Sequence, residues 1–212
     1  MNPVIAQKFE ANQEPGSGVA NDKLGMWIFL ASEVVFFAVL ISAVVALSLR
    51  PESNWSLHQE PYTEVAIILA TINTFILILS SVFVVSAIDA IQHGRQRWML
   101  FWLFLTLLGG VAFLFNQSRE WAELSHILHE IFGFAEGFAG AQESVYAASF
   151  YTVTGFHGAH VFIGVLLLLY VMMRALRGDF TPRKYNALEM FGLYWHFVDL
   201  VWIILFTILY LI

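Results

Sequence analysis

The sequence is dominated by five apolar runs, and each is long enough to cross a bilayer as a helix, for which about 20 mostly apolar residues suffice. The runs cover about 24–49, 65–88, 98–117, 147–173 and 189–212. In hydrocarbon every backbone N–H and C=O group needs a partner within the protein, so such runs can only be helices. Only 12% of the residues are charged, about half the share in a soluble domain. The sequence therefore predicts an all-α, polytopic membrane bundle of five transmembrane helices.

The segment before the first run is polar and contains no apolar core of the kind that a signal peptide has. We expect residues 1–23 to form a cytoplasmic N-terminal tail, with a chain-breaking cluster at Pro15–Gly18, and residues 24–212 to form one membrane domain. The chain contains no cysteine. Disulfides, iron–sulfur clusters and thiolate metal sites are thereby excluded.

The basic residues predict how the bundle is oriented. Eight of the ten Lys and Arg residues lie in the N-terminal tail and in the second and fourth loops: Lys8, Lys23, Arg95, Arg97, Arg174, Arg177, Arg183 and Lys184. With five spans, these segments share one side of the membrane. Because basic loops stay on the cytoplasmic side, the N-terminus is predicted to lie inside and the C-terminus outside. The outer loops are acidic, and the second is expected to hold an interfacial helix at about 120–134 and a Gly-rich turn at 133–140.

Glu33 is the most unusual intramembrane residue, because it stands about ten residues into the first span and is the only charge there. A charge at mid-bilayer costs about 2.5–3.5 kcal/mol on insertion scales, so Glu33 is expected to face protein or water and not lipid. Two interpretations stay open at this point. Glu33 is either a proton-linked or lipid-linked site, or a hydrogen-bonding group that fixes the packing of two helices.

Three intramembrane histidines are candidates for haem or metal ligands. His157 and His160 stand three apart on one span, and His196 lies on another. Two residues so close on one helix cannot supply both axial ligands of one haem, and a pair of bis-histidine haems needs four well-spaced histidines. This pattern favours polar contacts between helices over a haem or a metal.

Further polar residues within or beside the spans form recognisable patterns. Asn73 with Ser80, and Thr74 with Ser81, repeat at seven residues and predict a polar seam for helix contact. Glu189, His196 and Asp199 fall within one broad face of the last helix. Gln117 and Glu120 lie three apart beyond the third span, where Glu120 is expected to be solvated or bonded to a neighbouring helix end. No nucleotide-binding loop, serine-hydrolase triad or basic nucleic-acid patch is present.

Several stretches in all five spans, taken together, resemble one family. They are FLASEVVFF at 29–37, Asn73-Thr74 with Ser80-Ser81, Leu108-Gly109 through Gln117 and Glu120, TGFHGAHV at 154–161, and YWHFVDLVW at 194–202. In this order and spacing the chain resembles subunit III of the haem–copper oxidases, the cytochrome c oxidase subunit III family. Many members have two further N-terminal helices, so this chain is similar to the five-helix bacterial form.

The resemblance implies a non-catalytic, non-redox subunit of a terminal respiratory oxidase that reduces oxygen to water and pumps protons. It implies that the haems and copper lie in partner subunits, that this chain docks on catalytic subunit I together with subunit II, and that it contacts membrane lipids, with bound phospholipid. It also implies a multi-pass location in the bacterial inner membrane. Glu33 aligns with the family's intramembrane carboxylate on the proton-uptake side, and the three histidines become interhelical contacts with Glu189 and Asp199 as partners.

Competing functions remain open from the sequence. The expected electron donor is cytochrome c, and a quinol oxidase subunit is the alternative. A b-type haem membrane anchor or a proton-coupled transporter is more distant, since a transporter of this kind often shows inverted repeats or broken helices, and neither is visible in the sequence.

Overall fold

The computed structural model describes residues 21–49, 62–132 and 145–211. Its regular elements in these ranges are five long helices, α1 Asn21–Ser48, α2 Tyr62–Gln92, α3 Gln96–Phe132, α4 Val145–Leu176 and α5 Asn186–Phe206, and α5 continues into a π-helical turn at Thr207–Leu211. All five are long and apolar enough to cross a membrane. The prediction of an all-α bundle with five spans is confirmed. The side of the membrane on which each terminus lies stays a prediction.

The last helix is the centre of the bundle. α5 contacts α1, α2 and α4, and it is the most enclosed of the five spans, whereas α1 is the most exposed. α2 and α3 pack closely against each other as a hairpin. The exposed side chains of α1 to α4 include many large apolar residues, which suits helices that face lipid or other membrane helices.

Two short turns end α2 and α4 with the same geometry. Gly94 (φ 70°) and Gly178 (φ 79°) adopt the left-handed conformation, which glycine reaches at no steric cost. After α2, the N–H of Gly94 donates to Ile91 O at 2.9 Å and that of Arg95 donates to Ala90 O at 2.8 Å, the pattern of a Schellman motif. Gln96 Nε2 then donates to Ala175 O at 2.8 Å, so the two turns lie side by side at one end of the bundle.

α3 is longer than the sequence analysis expected. The structure joins the third span and the expected interfacial helix into one helix that runs to Phe132. Between Gly110 and Gly133 the sequence contains neither glycine nor proline, so nothing in it stops the helix. The predicted Gly-rich turn at 133–140, the N-terminal tail up to residue 20 and the first outer loop lie outside the described residues.

Candidate functional site

Glu33 of α1 faces His160 of α4 about halfway along both helices. The distance between Glu33 Oε2 and His160 Nε2 is 3.1 Å, and the side chains are 20% and 15% exposed. This contact joins two helices that otherwise touch little. It gives the intramembrane carboxyl group a specific polar partner, as the cost of placing such a group in hydrocarbon requires.

The contacts of the two His160 ring nitrogens indicate where protons can lie in the pair. His160 Nδ1 lies 2.7 Å from the carbonyl oxygen of Phe156. A carbonyl oxygen only accepts hydrogen bonds, so we assign a proton to Nδ1. A hydrogen bond between Nε2 and Glu33 Oε2 then needs one more proton, shared as a neutral carboxylic acid with imidazole or as a carboxylate with imidazolium. The geometry can therefore hold one exchangeable proton between two helices.

Aromatic rings surround this pair and fix its position. The ring of Phe37 lies 5.0 Å from that of His160, and the ring of Phe36 lies 6.3 Å away. The hydroxyl group of Tyr194 on α5 donates to the carbonyl oxygen of His160 at 2.9 Å. The rings limit the access of water, and Tyr194 anchors the turn of α4 that carries His160.

The sequence analysis missed both the pairing of Glu33 with His160 and the role of Tyr194. One signal was available, because a carboxyl group within a span requires a polar partner on another helix. Glu33 and His160 are 127 residues apart in the chain, however, and no periodicity in the sequence relates positions on different helices.

His157 occupies a different environment from His160 although it is only one turn away. It is fully buried, and its Nε2 lies 3.1 Å from Val198 O on α5. The rings of Phe113 and Trp202 lie 5.5 and 4.9 Å from its own ring. His157 therefore makes an interhelical contact, and its Nδ1 has no hydrogen-bond partner among the described residues.

The polar residues of α2 contact α3 and α5. Asn116 Nδ2 donates to Asn73 Oδ1, Trp202 Nε1 donates to Thr74 Oγ1, and Trp195 Nε1 donates to Ser80 Oγ, each at 2.9 Å. Ser81 lies near Asp199 of α5, although within the ranges that the structure describes neither the Ser81 hydroxyl group nor Asp199 Oδ1 has a hydrogen bond of standard geometry. The sequence analysis did not foresee the partners Asn116, Trp195 and Trp202.

Glu120 is buried at the far end of the bundle, with 2% exposure. Its Oε1 accepts a hydrogen bond from the Tyr210 hydroxyl group at 2.6 Å, and its Oε2 accepts one from Gln117 Nε2 at 3.3 Å. Tyr210 belongs to the π-helical turn that ends α5. Glu120 was expected to be either solvated or bonded to a neighbouring helix end, and in the structure it is bonded to the end of α5.

Glu189 lies near the start of α5 and pairs with Lys23 of α1 at 2.7 Å, rather than with a histidine as we expected. Lys23, Glu189 and His196 line one cavity of about 300 Å³ together with Trp27. His196 also lies near Asp199. The three polar residues of α5 thus face two neighbouring helices, α1 and α2.

The family model for cytochrome c oxidase subunit III matches residues 17–212. The chain belongs to the cytochrome c oxidase subunit III family. Cytochrome c oxidase subunit 3 of Thermostichus vulcanus is 39% identical to this chain over 190 residues. The matched region covers 89% of this chain and 86% of that protein.

Other family members show the same relationship at greater distance. The probable cytochrome c oxidase subunit 3 of Rickettsia conorii is 36% identical, covering 89% of this chain and 66% of that protein. The probable cytochrome c oxidase subunit 3 of Nocardia farcinica is 34% identical, covering 89% of this chain and 87% of that protein. The resemblance found in the sequence is confirmed. A subunit III works in a complex with other oxidase subunits, and the five spans make this chain a multi-pass inner membrane protein.

His157 and His160 of this subunit III chain do not fit the ligation of a haem. The Nε2 atoms of His157 and His160 each face a protein oxygen at 3.1 Å, and Nδ1 of His160 faces another. Binding iron at these nitrogens would displace those helix contacts. Within the three described ranges, no cluster of three or more His, Asp or Glu side chains could hold a metal ion.

Proposed function

We propose that this chain is the non-redox accessory subunit III of a respiratory haem–copper oxidase that reduces oxygen to water and pumps protons. In this role it stabilises catalytic subunit I, assembles with subunit II, and supports proton uptake. The electron donor of the complex is cytochrome c. The names of the relatives compared above, each a cytochrome c oxidase subunit 3 or a probable one, support this donor.

The observation that carries the proposal is the pair of Glu33 and His160. The geometry of the pair can hold one shared proton, and the pair keeps partial exposure at the junction of α1 and α4. A proton held there can exchange with groups of a neighbouring subunit. Glu33 and His160 thereby tune proton supply to the catalytic subunit without taking part in electron transfer.

The test replaces Glu33 in the intact oxidase complex. Glu33→Gln keeps a hydrogen-bonding side chain of the same size but removes the exchangeable proton. A direct catalytic acid or base contributes about 10²–10⁴-fold, and a supporting group contributes less, so we expect turnover-dependent inactivation to accelerate by about two- to tenfold. Proton pumping, measured as protons released per electron in vesicles, should fall as well.

Glu189→Gln is the matched control, because it removes a carboxylate that belongs to the Lys23 ion pair and lies away from His160. It should leave pumping and inactivation unchanged at equal haem content. If Glu33→Gln, in a complex assembled to the same level, inactivated and pumped protons like the wild type, the proton role of Glu33 would be contradicted.

The electron donor is tested separately on the same purified complex. Oxygen consumption with reduced cytochrome c is compared with oxygen consumption with a quinol. Fast turnover with reduced cytochrome c supports the proposal. Turnover with quinol alone would replace it with the quinol oxidase alternative.

A further inference from the structure

We propose that the groove between the end of α2 and the start of α3 binds the headgroup of phosphatidylethanolamine. The groove has a volume of about 540 Å³, within the range of about 300–1,000 Å³ that is common for ligand sites. Its lining residues are Val85, Ser86, Asp89, Ala90, Arg95, Trp98 and Trp102. The inference depends on the membrane location of the chain and is independent of the proton role proposed for Glu33.

The backbone of the hairpin builds this groove. Ser86, Asp89 and Ala90 lie on one face of the last turns of α2, because they are three and four residues apart. The Schellman motif at Gly94 returns the chain sharply, and its hydrogen bond from Arg95 N to Ala90 O holds Arg95 beside α2. Trp98 and Trp102, four apart on α3, form the opposite wall.

The α3 side of the groove offers donors suited to a phosphate group. The Arg95 side chain is exposed and makes no hydrogen bond or ion pair within the described part of the chain. A guanidinium group can bind a phosphate through two parallel hydrogen bonds. In the same described part, the indole N–H groups of Trp98 and Trp102 have no acceptor, and tryptophan is favoured at the headgroup level of a membrane.

The α2 side offers an acceptor suited to an ammonium group. Asp89 is 68% exposed, and its Oδ1 lies 3.4 Å from His93 Nδ1. That nitrogen lies closer, at 2.9 Å, to the carbonyl oxygen of Asp89, so the carboxylate keeps its capacity to accept further hydrogen bonds. A primary ammonium group can donate three.

The opposite charges of Asp89 and Arg95 select the headgroup. An anionic headgroup such as phosphoglycerol would bring a second negative charge beside Asp89 and leave the carboxylate without a cation. The quaternary ammonium of choline has no N–H to donate to the carboxylate. Phosphoethanolamine supplies a phosphate for Arg95 and an N–H-bearing cation for Asp89, so both charged side chains gain a partner of opposite charge.

The surface beyond the groove suits the acyl chains of such a lipid. Val85, which lines the groove, is exposed, as are Val82, one turn before Ser86 on α2, and Phe101, beside Trp102 on α3. The ring of Trp102 is stacked on that of Phe83 at 5.6 Å, which keeps the wall in place. A phospholipid bound here would lie with its headgroup at the turn and its chains along α2 and α3.

Lipid competition on the intact oxidase complex tests this site. The complex is stripped of lipid in detergent, incubated with equimolar phosphatidylethanolamine, phosphatidylcholine and phosphatidylglycerol, and repurified, and retained lipids are counted by native mass spectrometry. We expect the wild type to enrich phosphatidylethanolamine by about fivefold, as for an exposed charge pair. Asp89→Asn and Arg95→Gln should each remove that enrichment.

Asp89→Lys gives the sharpest test, because it makes both charged walls positive. Its preference should change from phosphatidylethanolamine to phosphatidylglycerol. Arg97→Gln is the matched control, since it removes a positive charge near the same turn that does not line the groove, and it should retain the wild-type preference. Equal retention of the three lipids by the wild type, or an unchanged preference in Asp89→Lys at equal haem content, overturns the proposal.

Discussion

Trp195 of α5 is held between two glycines that belong to different helices. A Cβ atom built on Gly110 of α3 would lie 2.8 Å from the Trp195 ring, and one built on Gly164 of α4 would lie 2.8 Å from another atom of that ring. The indole N–H donates to Ser80 on α2. A single side chain thus connects α5 to three other helices, and it fits only because both facing residues have no side chain.

Replacing Gly164 should therefore destabilise the bundle. Gly164→Ala forces its new methyl group against a ring that Gly110 and Ser80 keep from moving away, and overpacking of this kind costs about 1–3 kcal/mol. The free energy of unfolding in mixed detergent micelles measures the effect.

Gly158→Ala on the same helix is the control, because a Cβ atom there would meet no other helix of the described structure within 4 Å. Alanine is a better helix former than glycine by about 0.5–1 kcal/mol, so this variant should be as stable as the wild type or slightly more stable. An equal loss of unfolding free energy in the two variants would contradict the close packing of Gly164 against the Trp195 ring.

Among the elements, α1 depends most on a few polar contacts. In a bilayer its exposed apolar residues gain nothing by leaving lipid for protein, so packing and hydrogen bonds must hold it. In the described part of the chain, two contacts between polar side chains join it to the bundle, Lys23 with Glu189 near one end and Glu33 with His160 near the middle. Phe37, which is buried against the His160 and Phe197 rings, adds an aromatic contact.

Loss of the Lys23 contact should loosen the start of α1. Lys23→Gln leaves Glu189 without its cation, and because the pair is partly exposed we expect only about a two- to threefold faster amide hydrogen exchange over residues 25–29. The difference should shrink at high salt, which screens such pairs. Arg177→Gln, which removes an exposed charge at the end of α4, should leave this exchange unchanged. A change that persists at high salt would argue against an ionic origin.

At the scale of the whole molecule, the basic loops form one end of the bundle. The turn after α2, with Arg95 and Arg97, contacts the turn after α4, because Gln96 bonds to Ala175 and Gly94 lies near Pro182. Arg174, Arg177, Arg183 and Lys184 lie in or beside that second turn. The basic residues that alternate between loops along the sequence therefore lie together at one end of the bundle. This arrangement is the basis for the predicted orientation.

Cysteine labelling tests this orientation directly. The chain has no cysteine, so the unmodified protein is a blank control. A cysteine introduced by Arg97→Cys should react with a membrane-impermeant maleimide in inside-out vesicles but not in intact cells. A cysteine added after Ile212 should react in intact cells. The reverse pattern would place the basic end outside.

The sequence by itself determined the class of the molecule and the number and order of its spans. Continuous hydrophobicity is a local property, and in hydrocarbon it has one backbone solution. The predicted second span, 65–88, lies within α2 at Tyr62–Gln92, which extends further because an apolar run marks only the part of a helix inside the bilayer. The motifs across the spans were also sufficient to recognise the family, since they are read residue by residue.

Only the tertiary structure decided which polar groups meet. Glu33 with His160, Lys23 with Glu189 and Trp195 with Ser80 pair across different helices. Each pairing depends on how the helices rotate about their axes and where they cross. In a membrane, apolar residues are tolerated both inside the bundle and toward lipid, so the hydrophobic pattern does not specify which face turns inward. Which face turns inward is decided by close packing around small residues, and that packing joins helices that are far apart in the sequence.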